Sequence, residues 1–306
     1  MRRAMNSRAF QFRLKPLAHI VVFARRRART LSMCAKMPVF AAFFALCACA
    51  LLPAQRIDDS ILNAWTRNHS LPLAHLVDET LTIERAYAVQ TRVVRKTLRG
   101  EAPVGFKAGL TSQSAQDRFN AHGPIAGVLL VPASATPREL RLSELRGLYV
   151  ELEVALRVGK RIDERLADIE ALKAHIDGIA PAIELPNLDY DMPERLTATD
   201  IVASNVAAAY FVTGEFVSPS RRDPNRVTAT LVCDGHKANV GVGRDSMGDQ
   251  WVAALWLANT MIDQGWVLEP GQVLLTGALG AMVRARPGAC TAEFGDWGSL
   301  DVRIVP

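Results

Sequence analysis

An α+β fold follows from three features of the amino-acid sequence. Helical periodicity is concentrated before residue 100 and in one late stretch. From Val104 onward the chain breaks into short apolar runs of strand length, separated by turn residues. The two patterns never alternate regularly, which argues against a doubly wound parallel sheet. At 306 residues, with 49% hydrophobic and 22% charged residues, the chain fits one large globular domain with an appendage.

The appendage is residues 1–54, which read as a targeting segment. Eleven of the 36 Lys and Arg lie in residues 1–56, which hold no acid. The rest of the chain carries 25 basic against 31 acidic residues, a net of −6. The body is therefore mildly acidic despite a pI near 9.1, and no basic patch with interleaved aromatics suggests a nucleic-acid partner. Arg25-Arg26-Arg27-Ala28-Arg29 and Lys36 precede an apolar run from Met37 to Leu52. That run is long enough for a signal-peptide core and short for a membrane span, with small residues at Ala48, Ala50 and Ala54 for cleavage. The expectation is export, to the periplasm, with no stable span in the mature form. A mitochondrial transit peptide, a lipoprotein-like box around Cys49 and a retained membrane anchor are the alternatives.

Residues 55–102 are expected to be helical. Glu84 to Val94 places Ala86, Val89 and Val93 on one helical face, and Gly100 ends the run. The body proper, 103–306, is strand-rich. Arg226 to Cys233 and His236 to Val242 flank Asp234-Gly235, a strong hairpin signal. Gly248 to Gln264 reads as one amphipathic helix with Trp251, Leu255, Ala258 and Ile262 on a face and Gly265 as its cap. Strands follow at 273–276, 292–294 and 300–305. Gly241-Val242-Gly243 lacks a third glycine at dinucleotide spacing and reads as a bend in a strand. There is no Gly-x-Ser-x-Gly elbow and no His-Glu-x-x-His pair, and His122 reads as an exposed loop residue. Cys233 and Cys290 form either one disulfide or two buried free thiols; their spacing fits no zinc motif.

The chemistry concentrates in Leu148 to Leu156. Side chains of a strand alternate faces, so Leu148, Val150, Leu152, Val154 and Leu156 share one side and Glu151 and Glu153 the other. Two carboxylates about 7 Å apart along an apolar strand, at a rise of about 3.3 Å per residue, need a proton, a basic partner or a metal ion. A half-solvated strand face is the plain alternative. Glu184, in Pro181-Ala182-Ile183-Glu184, adds a third acid in an apolar run. Three such carboxylates suit a hard divalent cation such as Mg²⁺ or Mn²⁺.

Several segments together resemble the 2-keto-4-pentenoate hydratases of the fumarylacetoacetate hydrolase superfamily. Gly105-Phe106-Lys107-Ala108-Gly109 is similar to their glycine-lysine motif. Glu151-x-Glu153 and Glu184 match their metal carboxylates in order and spacing, and Asp200 to Asn205 resembles their Asp-x-x-Ala-Asp-Asn segment. Trp256 to Asn259 and Leu275 to Met282 resemble their C-terminal motifs. The resemblance runs from about Glu84 to the C-terminus. It implies a mixed β-sandwich or roll under an N-terminal helical cap, a metal site at one mouth, and a homo-oligomer. It further implies a hydro-lyase acting on a short 2-oxo or 2-hydroxydienoic acid of aromatic catabolism.

On this reading Glu151, Glu153 and Glu184 hold the metal, and the Lys107 ammonium meets the substrate or assists proton transfer. Thr276 offers its hydroxyl and nearby backbone N–H groups to the substrate carboxylate, and Asn205 orients water or substrate. Five positions depart from the family pattern. Ile125 stands where hydratases often carry an acid, which leans toward the related 4-oxalocrotonate decarboxylases. Ser204 replaces an Asp, Ala207 a Ser, and Asp249-Gln250 a His-Pro. Decarboxylation of a 2-oxo diacid, or an exported binding protein without turnover, are the competing functions.

Overall fold

The structure, a computed structural model, describes residues 56–306. The targeting segment and Cys34, Cys47 and Cys49 lie outside those residues.

Helices come first, as the periodicity requires, but in three pieces: α1 (56–67), α2 (Ala74–Val77) and α3 (Ile83–Leu98). The break before α3 has local causes. Asp78 Oδ1 accepts the Thr80 backbone N–H, and the Thr82 hydroxyl caps α3 by accepting from Arg85 N. Arg99 then turns left-handed at φ 52°, with Gly100 behind it at 94°. Ala86, Val89, Val93 and Val94 are buried, which is the face the spacing foresees.

Strands β1 (Gly105–Gly109) and β2 (Ile125–Leu129) flank helix α4 (Gln113–Arg118). Strand β3 (Glu139–Arg141) leads to the long β4 (Tyr149–Val158), then α5 (Ile169–Lys173) and β5 (Ile176–Leu185). Helix α6 (Ala198–Ala203) and β6 (Tyr210–Thr213) precede the hairpin β7 (Thr228–Cys233) and β8 (His236–Val242). Helix α7 (Gln250–Asp263) is followed by β9 (Val273–Leu275), β10 (Leu279–Arg284), β11 (Gly288–Glu293) and β12 (Ser299–Val305).

These strands form two mixed sheets. One has the order β2-β1-β9-β4-β5-β6, with β10 also on β4; the other is β3-β12-β11-β7-β8. The hairpin turn is the predicted one, with Asp234 and Gly235 at φ 48° and 76°. Just before it, Cys233 pairs in register with Cys290, and a disulfide joins them across a Cα separation of 4.1 Å. The disulfide alternative is therefore the one realised. Helix α7 buries Trp251 and Ala258 of the expected face, but with Ala254, Leu257 and Met261 beside them, while Leu255 and Ile262 are only half-buried. Its sequence is apolar nearly all round, so periodicity alone does not choose the face.

Candidate metal centre

The face alternation of β4 holds throughout. Leu148, Val150, Leu152, Val154 and Leu156 are each at most 1% exposed in the main core. At about 1.5–3 kcal/mol per buried aliphatic side chain, this row locks the register, and the register puts Glu151 and Glu153 on the opposite face. Strand β5 runs antiparallel alongside with Glu184 directly opposite Glu151. One carboxylate oxygen from each of the three glutamates lies within 4.8 Å of the others.

Lys107 enters from β1. Its Nζ forms a buried ion pair with Glu184 Oε1 and donates to the Val206 carbonyl at 3.0 Å. That carbonyl belongs to a left-handed run, Asn205-Val206-Ala207, at φ 65°, 52° and 54°. Three consecutive non-glycine residues there cost roughly 1–2 kcal/mol each, and the surrounding contacts must hold them. Asn205 does so. Its Oδ1 accepts the Val128 N–H and its Nδ2 donates to the Val128 carbonyl, both at 2.8 Å. The Asn205 amide thus holds the backbone of β2.

Thr276 is also held by protein groups. Its fully buried hydroxyl sits 3.1 Å from the Val154 carbonyl and in close contact with Gln250 Oε1, so protein groups occupy it. The backbone N–H beyond it serves the centre: Gly277 N donates to Glu153 Oε2 at 2.8 Å. The glycines around Lys107 act by packing, since both are in an extended strand. A Cβ on Gly105 would lie 2.0 Å from the Val273 carbonyl oxygen, and one on Gly109 would lie 2.9 Å from Val206 Cγ1.

The charges are unbalanced. Burial, then the neighbouring Glu184, push the Glu151 carboxyl up to about 7. Burial and the same neighbours raise Glu153 well above its ordinary value. Burial acts to lower Lys107, but Glu184, Glu151 and Glu153 outweigh it, and the ammonium is held above its ordinary value. Glu153 Oε1 and Glu184 Oε2 are buried without a hydrogen-bond partner. Orphaned carboxylate oxygens converging on one point are costly unless a cation completes them, so the donor set fits a hard divalent ion.

Glu151 is half-buried and opens the centre to a cleft of about 690 Å³ walled by Leu110, Ser112, Arg118, Asp245 and Met282. Ile125 does not line it. That side chain is buried and faces a second cavity of about 660 Å³, shared with His75, Tyr87, the exposed His122 and Trp256. The backbone of Ile125 nonetheless pairs with Gly109, which lines the cleft of the carboxylates. Sequence reasoning missed Val206, Ser246 and Gln250. Ser246 donates to the Thr276 carbonyl and Gln250 Nε2 to the Gly243 carbonyl at 2.6 Å. The one local hint was the Asp249-Gln250 departure.

A family model for the fumarylacetoacetate (FAA) hydrolase C-terminal domain matches residues 101–305. The chain belongs to this family. A 2-keto-4-pentenoate hydratase of Paraburkholderia xenovorans (strain LB400) is 32% identical over 226 residues, covering 71% of this chain and 82% of that one. A 4-oxalocrotonate decarboxylase of a Pseudomonas species is 28% identical, covering 73% and 87%. Among solved structures, 4-oxalocrotonate decarboxylase from Pseudomonas putida G7, complexed with magnesium and adipate, superimposes with a TM-score of 0.73. That match covers 83% of this chain and 97% of the other at 24% identity, and it shows the family's fold. The family model begins at residue 101, so α1–α3 lie before it and form the cap. Gln90 ties α3 to the body by donating to the carbonyls of Ala126 and Val202, and Tyr87 accepts from Ala126 N.

Proposed function

We propose that the chain is a divalent-metal-dependent hydro-lyase that adds water to a short 2-hydroxydienoate or 2-oxo-enoate, as its hydratase relatives are named for doing. The carrying observation is the convergence of Glu151, Glu153 and Glu184, with orphaned oxygens, at the floor of an open cleft. Glu151, Glu153 and Glu184 would hold Mg²⁺ or Mn²⁺ there, which would supply Lewis-acid polarisation of a 2-oxo acid and stabilisation of the charge left on loss of the neighbouring proton. The chain's own residues prepare that position. Gly277 N–H orients Glu153, and Lys107 offsets one of three negative charges while fixing Glu184. Thr276 and Gln250 hold the turn that carries Gly277. The apolar lining by Leu110 and Met282 excludes water from one side of a bound chain.

The test is turnover of 2-hydroxypenta-2,4-dienoate with Mg²⁺ or Mn²⁺, before and after chelation. Glu184→Gln should lower kcat/KM at least about a hundredfold, because several kcal/mol of charge stabilisation pass through the centre. Full activity in that variant, or in the chelated protein, would sink the reading. A second reading, decarboxylation of a 2-oxo diacid, is supported by the decarboxylase relative and by the cationic Arg118 in the cleft wall. It predicts CO₂ release from the same centre. A metal-dependent thermal shift without turnover of any 2-oxo acid would leave the binding-protein reading.

We also infer export to an oxidising compartment, supported by the basic, apolar segment before residue 55 and by the Cys233–Cys290 disulfide. Unprocessed protein confined to the cytosolic fraction, by N-terminal sequencing, would overturn that. A homo-oligomer belongs to the same proposal, and light scattering of the purified protein checks it. Among the described residues, no helix is long and apolar enough to cross a membrane.

A further inference from the structure

Strands β4 and β10 pair unevenly. Leu279 stands opposite Leu152 and Val283 opposite Val150, so four steps along β10 answer two along β4. The surplus residues, Gly280, Ala281 and Met282, bulge beside Glu151 and line the same cleft. Gly280 turns left-handed at φ 72°, and a Cβ there would lie 2.5 Å from the Val240 carbonyl oxygen. Its N–H leaves the ladder and donates to Asp245 Oδ2 at 3.0 Å, and Val242 N donates to the same oxygen at 2.7 Å. Asp245 is thereby fixed at the cleft wall through Oδ2 alone. Among the described residues, no hydrogen bond or ion pair engages its Oδ1.

Addition of water to a carbon–carbon double bond needs a group that takes a proton from the attacking water. The cleft offers few. Glu151, Glu153 and Glu184 converge on the cation position. Lys107 Nζ is held between Glu184 and the Val206 carbonyl. Arg118 keeps its proton at all working pH values. The wall hydroxyls bind protons weakly, and that of Ser112 caps α4 by accepting from Ala115 N at 3.3 Å. Asp245 is the carboxylate of the wall that, among the described residues, neither the cation position nor a cationic side chain claims.

We propose that Asp245 is the general base of the hydration, its Oδ1 taking a proton from the water that adds to carbon 4 of a 2-oxo-3-enoate. The proposal rests on the hydro-lyase reading above. The water oxygen bonds to carbon 4, the π pair between carbons 3 and 4 moves to join carbons 2 and 3, and the charge passes to the 2-oxygen. The proton on Oδ1 then goes to carbon 3 as the carbonyl re-forms. Asp245 ends as it began, and no co-reactant besides water is consumed. The dimensions agree. Carbon 4 is two bonds from the 2-oxo carbon, about 2.5 Å along an extended chain with bonds of about 1.52 Å. The bulge that holds Asp245 lies one strand spacing from Glu151, about 4.8 Å. A substrate with its 2-oxo end at the glutamates therefore keeps carbon 4 within reach of a water on Oδ1.

The experiment uses the Mg²⁺-loaded protein. Hydration is followed with 2-hydroxypenta-2,4-dienoate. Binding is titrated with 2-oxopentanoate and with each enantiomer of 4-hydroxy-2-oxopentanoate, which carries in addition only the hydroxyl that water supplies. Asp245→Asn keeps an oxygen for the two N–H groups and loses the base. It should bind 2-oxopentanoate within about threefold of wild type yet hydrate at least about a hundredfold more slowly, the usual worth of a general base. The wild type should bind one enantiomer of the hydroxy acid at least about fivefold more tightly than 2-oxopentanoate, because Oδ1 accepts from its hydroxyl. Asp245→Ala should lose that preference. Hydration by Asp245→Asn within about threefold of wild type, or no preference in the wild type, overturns the base and leaves the metal-dependent reading standing. Should the thermal midpoint show that a variant does not fold, the wild-type preference decides alone. A wild type that binds these acids with Mg²⁺ but hydrates no dienoate overturns the hydro-lyase reading, and the base with it.

Discussion

Glu151 is the member of the carboxylate cluster that meets both the metal position and the open cleft, and its titration makes the centre measurable. Its carboxyl rises from an ordinary 4.5 to about 7, first through burial and then through Glu184. A raised carboxyl means that the folded chain holds its proton where the unfolded chain has released it. Raising the pH from about 5 to 8 should therefore destabilise the metal-free protein. Mg²⁺ competes for the deprotonated form, so its stabilising effect should be larger at pH 8 than at pH 5.5. Thermal midpoints at the two pH values, with chelator and with excess Mg²⁺, check this; a chelated protein that grows more stable toward pH 8 would contradict it. At this scale the sequence was informative where chemistry depends on residue type and spacing. Glu151, Glu153, Glu184 and Lys107 come together as expected. The contacts of Asn205 with Val128 and of Thr276 with Val154 and Gln250 were illegible, because a short polar side chain in a sequence does not reveal which groups it faces.

Between β9 and β10 the chain does something that apolar patterning does not announce. Both strands lie on the same edge of β4, β9 along Ala155–Arg157 and β10 along Tyr149–Leu152, with Thr276-Gly277-Ala278 between them. The interruption frees the Gly277 N–H from ladder pairing and aims it at Glu153. Gly277 has φ +113°, where other residues are strained, and a Cβ there would lie 2.5 Å from Thr111 Oγ1. Gly277→Ala should therefore weaken Mg²⁺ binding by about tenfold or more, the scale of losing a partner that orients a metal ligand. A metal titration beside a urea unfolding curve separates this from general destabilisation. Wild-type Mg²⁺ affinity in a folded variant would show that the N–H does not orient Glu153. The sequence predicts a strand over 273–276 and assigns no role to the glycine that follows. The shared edge of β4 was illegible because it depends on pairings more than 110 residues away along the chain, such as Arg157 with Val273 and Leu152 with Leu279.

At the scale of the molecule, the metal centre and the disulfide belong to different sheets. Glu151, Glu153, Glu184 and Lys107 stand on β4, β5 and β1 of the larger sheet, while Cys233–Cys290 staples β7 to β11 in the smaller. The bridge closes a loop over a sequence separation of 57, for which chain-entropy reasoning gives about 4 kcal/mol of stabilisation. Since β7 and β11 are already hydrogen-bonded neighbours, reduction takes away that constraint on the unfolded chain while leaving the sheet's own pairing. The route from the staple to the cleft is β8, where Asn239 donates to the Leu279 carbonyl at 2.9 Å and Val240 lines the cleft wall. Reduction should therefore lower the unfolding free energy by up to about 4 kcal/mol, yet change Mg²⁺ affinity by less than about threefold. Urea unfolding and Mg²⁺ titration with and without reductant measure the two quantities on the same protein. A tenfold loss of Mg²⁺ affinity on reduction would mean that the smaller sheet sets the geometry of the glutamates, through the contact of β8 with β10.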